Sequence, residues 1–183
     1  MRTMINIDYT ACVEPFIRSF TKVTIPTNIT NRIKDFIEEL IKYKKQNEQL
    51  HIVDGDNEFK RFYTGLLGEA ALEIYLDKPI IDYSIGESSK YNVPDIQRLG
   101  IGIKTSEYGK FPIIFKKNYY PQIINIKQSD NEILIAGIAN VSTLNTYQNE
   151  DLILDPNLRR RGTKTAFYGF GYLKNIERLR RVG

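Results

Sequence analysis

The stretch that decides the fold class of this chain is Glu132-Ile-Leu-Ile-Ala-Gly-Ile-Ala139. After its first residue the stretch carries no charge and is almost continuously apolar, which is the pattern of a β-strand buried on both faces. A sheet with two buried faces needs other elements packed on each side of it. The stretch therefore predicts an α/β protein in which helices flank a central mixed β-sheet.

The residues around this stretch support the same fold class. Apolar residues recur at helical spacing over about 31–48 and about 56–76, and a short helix is expected near 141–147. A basic terminal helix is expected over 173–181. Between the helices the spacing changes to that of strands separated by Gly, Ser and Asn turns. The expected strands are 80–83, 94–97, 101–105, 111–115 and 123–126.

The length of 183 residues predicts a single domain. Within it we expect an N-terminal helical segment over 1–50, a core over 56–140 and a basic C-terminal segment over 151–183. The chain has one cysteine, Cys12, and one histidine, His51. These counts exclude an internal disulfide and a metal site built from several Cys or His ligands of one chain. If the protein is an enzyme, its carboxylates and lysines must carry the chemistry.

The hydropathy of the sequence argues against a membrane protein. No apolar run approaches the roughly 18 residues that cross a bilayer, and the N-terminus is polar where a signal peptide would be apolar. We therefore expect a cytoplasmic protein without a membrane partner. The composition, with 42% hydrophobic and 26% charged residues, is that of a globular protein rather than a disordered one.

The positive charge of the chain is concentrated near its C-terminus. The whole sequence has a net charge of +4, and the segment 151–183 alone holds eight basic residues against three acidic ones. A basic cluster of this kind indicates a polyanionic partner such as DNA, although a solvated helix face has the same composition. The residues expected to contact DNA are Arg159, Arg160, Arg161 and Lys164.

Three short segments combine carboxylates with a lysine. They are Gly65-Leu-Leu-Gly-Glu69 on the second expected helix, Pro94-Asp95 at the start of an expected strand, and Gly102-Ile-Lys104 on the next strand. Because side chains alternate along a strand, positions 102 and 104 point to the same face, and a hairpin would bring Asp95 beside them. Metal-assisted phosphodiester hydrolysis uses carboxylate oxygens to hold Mg²⁺ and a lysine to orient water and offset the developing charge.

The order and spacing of these segments resemble the PD-(D/E)XK nuclease superfamily, over roughly residues 59–139. The resemblance implies a restriction-endonuclease-like core in which Asp95 is the principal metal ligand, Lys104 the catalytic lysine and Glu69 the helix-borne acid. It further implies Mg²⁺ as the cofactor, for which Mn²⁺ can substitute, and DNA as the substrate.

One position departs from the pattern of that family. The acid that the family carries two residues before the lysine is Gly102 here, and glycine supplies no side-chain ligand. Three interpretations stay open: Glu69 serves as the missing ligand, the backbone carbonyl of Ile103 and a water fill the position, or the site is weak or inactive. On the first two interpretations, Gly102→Glu would test whether the family pattern can be restored beside Lys104.

The predicted function is that of a Mg²⁺-dependent deoxyribonuclease, more narrowly an endonuclease, that uses Asp95, Glu69 and Lys104. The alternative is a catalytically impaired subunit of the same fold that binds DNA or serves in assembly, as a homodimer or beside a partner subunit. A third interpretation is a structural protein. In that case Asp95 is a turn residue, Lys104 a solvated charge on an edge strand and Glu69 a salt-bridge partner.

Overall fold

The computed structural model describes residues 7–47, 55–85 and 94–181, so His51 lies outside the described residues. The helices in this part of the chain are α1 (Tyr9–Val13), α2 (Thr27–Gln46), α3 (Gly55–Leu76), α4 (Val141–Thr146), α5 (Pro156–Arg160) and α6 (Glu177–Arg180). Single turns of 3₁₀ helix lie at Glu14–Ser19, Gln97–Leu99, Glu150–Leu152 and Phe170–Tyr172.

The strands form two sheets. They are β1 (Thr21–Thr24), β2 (Gly102–Glu107), β3 (Ile113–Phe115), β4 (Gln122–Ser129), β5 (Glu132–Ala139), β6 (Gln148–Asn149) and β7 (Lys164–Phe167). The main sheet has the order β1-β5-β4-β2, and the small sheet has the order β3-β7-β6. In the main sheet β2 runs parallel to β4, while the other two pairs are antiparallel. The prediction of an α/β protein with a mixed sheet is confirmed.

The main sheet is buried on both faces, as the apolar stretch in β5 predicts. Ile133 and Ile135 pack into a core with residues of α2 and α3, whereas Leu134 packs on the opposite face with Phe167 of the small sheet and Leu144 of α4. The sequence predicts helices around the sheet. In the structure, long helices cover one face, while the small sheet and short helices cover the other.

The two long helices lie where their apolar spacing predicts them. Helix α2 begins at Thr27, four residues earlier than expected, and it buries Ile33 and Ile37 completely. Helix α3 spans the predicted range and carries Leu67, which is also fully buried. Within the described residues, no helix combines the length and apolar character that crossing a membrane requires.

The predicted strand over 80–83 does not form. The side chain of Glu73, on the last turns of α3, accepts hydrogen bonds from the backbone N–H groups of Ile80 at 2.6 Å and Ile81 at 2.7 Å. The Glu73 carboxylate thus accepts the two hydrogen bonds that these N–H groups would otherwise donate to a neighbouring strand. The segment has no regular secondary structure and belongs to neither sheet.

Two further predictions are corrected by backbone pairing. The expected strand over 94–97 is reduced to a single bridge between Ile96 and Ile101, followed by a 3₁₀ turn. The expected terminal helix over 173–181 is reduced to α6, because Lys174 instead exchanges two 2.8 Å backbone hydrogen bonds with Ile138. A residue that pairs with a strand through its backbone cannot also begin a helix.

The N-terminal segment contributes a strand that helical periodicity did not indicate. Strand β1 pairs with β5 in antiparallel register, with Thr21 opposite Ile135 and Thr24 opposite Glu132. Residues before the long helices therefore belong to the main sheet itself. The segment predicted as a helical addition supplies one of its edges.

Helix α3 lies unusually close to the main sheet at Gly68. A Cβ atom at this position would be 1.8 Å from the Oγ1 atom of Thr105 on β2 and 2.9 Å from its Cβ atom. No heavy atom lies within 4 Å of the corresponding position at Gly65, one turn earlier. The glycine at 68 is thus explained by packing against β2, and it determines how closely the next residue, Glu69, approaches the sheet.

We expect Gly68→Ala to destabilise the protein and Gly65→Ala to stabilise it. The first substitution forces α3 away from β2, at a cost of about 1–3 kcal/mol, whereas the second removes backbone entropy from the unfolded chain and gains about 0.5–1 kcal/mol. Urea unfolding followed by circular dichroism measures both values. Thr105→Ala should recover part of the loss in the Gly68→Ala background, and equal stabilities for the two alanine variants would contradict the close contact.

Candidate functional site

Asp95 lies beside the free edge of β2. The bridge between Ile96 and Ile101 holds the preceding segment against this edge, and the Oδ2 atom of Asp95 accepts a hydrogen bond of 2.6 Å from the backbone N–H of Ile103. The side chain is otherwise exposed. The predicted hairpin therefore exists in a minimal form, and it brings Asp95 next to β2 as the sequence predicts.

Glu69 faces the same edge from α3. Burial raises the pKa of its carboxyl to about 8; the charge of Asp95 acts in the same direction and so does Glu73, whereas the ammonium of Lys104 opposes them. Asp95 affects Glu69 more strongly than does Glu73, which lies one turn away on the same helix. The carboxyl groups of Glu69 and Asp95 thus interact electrostatically, and we call them the acid pair.

Lys104 lies on the face of the main sheet opposite to α3, and its charge still acts on the acid pair. Ile103 belongs to the core beneath α2 and α3, and Thr105 contacts Gly68. Alternation along the strand therefore places Gly102 and Lys104 on the other face, as predicted. From there the charge of Lys104 still reaches the acid pair, since it lowers the pKa of Glu69.

The backbone of Ile103 also faces the edge of β2. Its N–H donates to Asp95, and in a β-strand the N–H and the C=O of one residue point to the same side. By contrast, the N–H of Gly102 donates to Pro121, toward β4. The Ile103 carbonyl therefore points to the side on which Asp95 lies. This direction is the one required by the interpretation in which the carbonyl and a water replace the missing acid.

The space beside Gly102 is filled by a side chain that the sequence analysis did not consider. Gly102 pairs with Gln122 in the parallel register of β2 and β4. A Cβ atom at Gly102 would lie 2.3 Å from the Oε1 atom of Gln122 and 2.7 Å from its Cδ and Nε2 atoms. The position is therefore not vacant, and a glutamate at residue 102 would collide with Gln122.

Tyr120 stands beside Gln122 and Asp95. Burial raises the pKa of its hydroxyl, and the negative charge of Asp95 adds to this effect, while the Gln122 side chain acts in the opposite direction. The sequence signal for these two residues is weak, since polar Gln122 merely precedes the apolar pair Ile123 and Ile124. Their place in the site depends on the pairing of β2 with β4, which the sequence does not specify.

The charge of Lys104 acts together with other cations on Lys164. Burial lowers the pKa of Lys164 to about 8, and the charges of Lys104, Arg161 and Arg61 lower it further. The Nζ atom of Lys164 lies 3.2 Å from the centre of the Phe115 ring. We call Arg61, Lys104, Arg161 and Lys164 the cation cluster.

The other basic residues near the C-terminus do not lie together in the structure. Arg159 donates a hydrogen bond to the backbone carbonyl of Asp151, and Arg160 is exposed at the end of α5. The basic residues after 173 lie elsewhere, since the guanidinium of Arg180 stacks 4.2 Å from the centre of the Tyr75 ring. The structure therefore brings Arg161 and Lys164, but not the whole basic segment, next to Lys104.

The oxygens at this edge are of the type that Mg²⁺ binds. In the part of the chain that the structure describes, no group of three His, Cys, Asp or Glu side chains is placed to hold a metal ion. Glu69 and Asp95 supply two carboxylates, Ile103 a carbonyl, and Gln122 a buried amide oxygen that has no hydrogen-bond partner. Carboxylate and amide oxygens are suitable ligands for a hard divalent cation, so the residues fit Mg²⁺ if neutral oxygens complete the set.

The comparisons with known proteins do not assign the chain to a group. A scan against models of protein families finds no match, and searches of curated proteins and of solved structures also find none. Any conclusion about function therefore depends on the geometry of this site.

We expect Lys164→Met to stabilise the protein in the absence of a ligand. The folded state lowers the pKa of Lys164 to about 8 from an ordinary value of 10.5, so it disfavours the ammonium at neutral pH. Between pH 8 and 10.5 the unfolded chain holds the proton more tightly, and the stability of the wild type rises with pH. The melting temperature of Lys164→Met should therefore exceed that of the wild type at pH 7, and the difference should shrink toward pH 10.

The matched control is Lys42→Met, which removes an exposed lysine of α2. It should leave the pH dependence of the melting temperature unchanged. A Lys164→Met protein that melts below the wild type at pH 7 would show that the contact with Phe115 outweighs the repulsion within the cation cluster.

Proposed function

We propose that this protein is a Mg²⁺-dependent deoxyribonuclease with a restriction-endonuclease-like core, and that it hydrolyses phosphodiester bonds within DNA. The observation that carries the proposal is the convergence of Glu69, Asp95 and Lys104 at the free edge of β2. These residues come from a helix, an extended segment and a strand. The electrostatic coupling of Glu69 to both partners supports their closeness.

The acid pair is the part of the site that suits a metal ion. A buried carboxyl group beside another negative charge has a raised pKa, and Glu69 has this property. A divalent cation offsets such a concentration of negative charge. When bound, Mg²⁺ would polarise a phosphate and favour the ionised form of a water molecule. Asp95 and Glu69 are the residues that would hold it.

Lys104 is suited to act on the reacting groups rather than on the ion. Its ammonium has no acceptor on its own strand, and its charge reaches both the acid pair and the cation cluster. A lysine in this position orients the attacking water and stabilises the negative charge that develops on the phosphate oxygens. We therefore assign Lys104 the catalytic role and Asp95 and Glu69 the ligand roles.

The cation cluster supports a nucleic-acid substrate. The charges of Lys104, Arg161 and Arg61 all disfavour the ammonium of Lys164, and of these the structure pairs Arg61 with Glu58 at 2.8 Å. A DNA backbone relieves this repulsion, because phosphates bind to lysine and arginine and release counterions. The cluster includes Lys104, so a DNA phosphate bound to it would lie next to the acid pair.

A second candidate function is that of a DNA-binding or assembly subunit without cleavage. The observation in its favour is that residue 102 carries no acid and that Gln122, a neutral residue, occupies the adjoining space. Retention of labelled DNA that weakens with salt, without cleavage in Mg²⁺ or Mn²⁺, would select this candidate. Light scattering of the same samples would show whether the subunit is a homodimer.

We expect Asp95→Asn to abolish cleavage of plasmid DNA while preserving the fold. The amide keeps an oxygen that can accept the hydrogen bond from Ile103 but loses the charge needed for a metal ion. Asp95→Ala is the weaker test, because it leaves the Ile103 N–H without its acceptor and can perturb β2. Gel assays in Mg²⁺ should show a fall in rate of at least about 100-fold. Cleavage at the wild-type rate would remove Asp95 from the site.

We expect Lys104→Met to lower the turnover rate by about 100-fold or more while leaving the affinity for Mn²⁺ nearly unchanged, since the lysine acts on the transition state. Single-turnover cleavage measures the first quantity and titration calorimetry without DNA measures the second. Lys42→Met again serves as the control. Equal rates for the two methionine variants would mean that Lys104 is only a surface charge.

A further inference from the structure

We propose that Gln122 is the third side-chain ligand of the metal site and that residue 102 is glycine so that the Gln122 amide oxygen can reach this site across β2. The inference rests on the proposed function, because it assumes that Asp95 and Glu69 hold a divalent cation. It goes beyond that function by naming a ligand on a strand that the PD-(D/E)XK resemblance does not implicate.

The first observation is the state of the Gln122 side chain. Only 5% of the residue is exposed, and its Oε1 atom has no hydrogen-bond partner in the part of the chain that the structure describes. Buried polar atoms are normally paired, so an unpaired acceptor requires an explanation. A cation bound to this oxygen would satisfy it.

The second observation concerns the space that Gln122 occupies. The backbone of Gly102 is part of β2 and does not have a positive φ angle, so its conformation does not require glycine. The requirement is spatial, because any Cβ atom there would lie 2.3 Å from the Gln122 oxygen. The glycine and the glutamine therefore form one unit, in which the first makes room for the second.

The third observation is the direction of the Gln122 amide. Residue 122 pairs with Gly102 on the inner side of β2, whereas Asp95 lies on the free edge of the same strand. The Gln122 side chain lies over Gly102 and so extends across β2. The N–H that Asp95 binds belongs to Ile103, the residue after Gly102. The Gln122 amide and the Asp95 carboxylate therefore both adjoin the Gly102–Ile103 peptide of β2.

The chemistry of the ligand follows from its charge. An amide oxygen binds a hard cation but brings no negative charge. Two carboxylates and one amide neutralise a divalent cation, whereas a third carboxylate would leave the site negative. We therefore expect the site to bind Mg²⁺ and Mn²⁺ more weakly than one with three acids, and the affinity to rise when the amide becomes an acid.

The test measures Mn²⁺ binding to the whole protein without DNA, by electron paramagnetic resonance of the free ion. Gln122→Met keeps the length of the side chain and removes the oxygen, and it should weaken binding by at least about 10-fold, since even outer-shell losses cost metal sites roughly 10–100-fold. Gln122→Glu should strengthen binding by a similar factor. Gln128→Glu is the matched control, because it adds the same charge at an exposed position of β4.

A fourth variant tests the same inference if the Gln122 variants fail to fold. Gly102→Ala keeps every ligand but displaces the Gln122 amide, so it should also weaken Mn²⁺ binding, while circular dichroism reports whether each variant is folded. Wild-type affinity in folded Gln122→Met or Gly102→Ala protein overturns the inference and leaves the proposed function intact if Asp95→Asn still loses the ion. A wild-type protein that binds no Mn²⁺ overturns both.

Discussion

The contact between Gly68 of α3 and Thr105 of β2 is the constraint on which the candidate site depends. It lets the helix approach the sheet so closely that a single added carbon would lie 1.8 Å from the threonine hydroxyl. Glu69 follows Gly68 directly, so this packing brings its carboxyl to the edge of β2 and away from water. Without the close approach, the burial that raises the pKa of Glu69 would be lost.

The edge of β2 separates two kinds of charge. Glu69 of the acid pair belongs to α3, whereas Lys164 of the cation cluster belongs to β7 of the small sheet. Lys104 affects groups on both sides. Within the acid pair and within the cation cluster, the folded protein holds groups of like charge together and partly buried, so these groups repel one another. Groups with perturbed pKa values cluster at functional sites, and the proposed function supplies ligands of opposite charge, a divalent cation and a phosphate.

The sequence predicts the helices and strands that can be recognised from their own apolar pattern. It locates α2, α3, β4 and β5 closely, because each carries a continuous apolar stripe or run. It fails at 80–83, where the side chain of Glu73 takes the backbone donors. It also fails at 173–181, where Lys174 pairs with Ile138. In both cases a group outside the segment takes up its backbone hydrogen bonds.

The sequence by itself determined the order of the functional segments and the face shared by residues 102 and 104, because alternation along a strand is a local property. Only the tertiary structure decided which strand lies beside β2. The parallel pairing of β2 with β4 sets Gln122 opposite Gly102, and a shift of one residue in that register would turn Gln122 to the other face. Register between strands depends on how two distant surfaces pack, and no single segment encodes it.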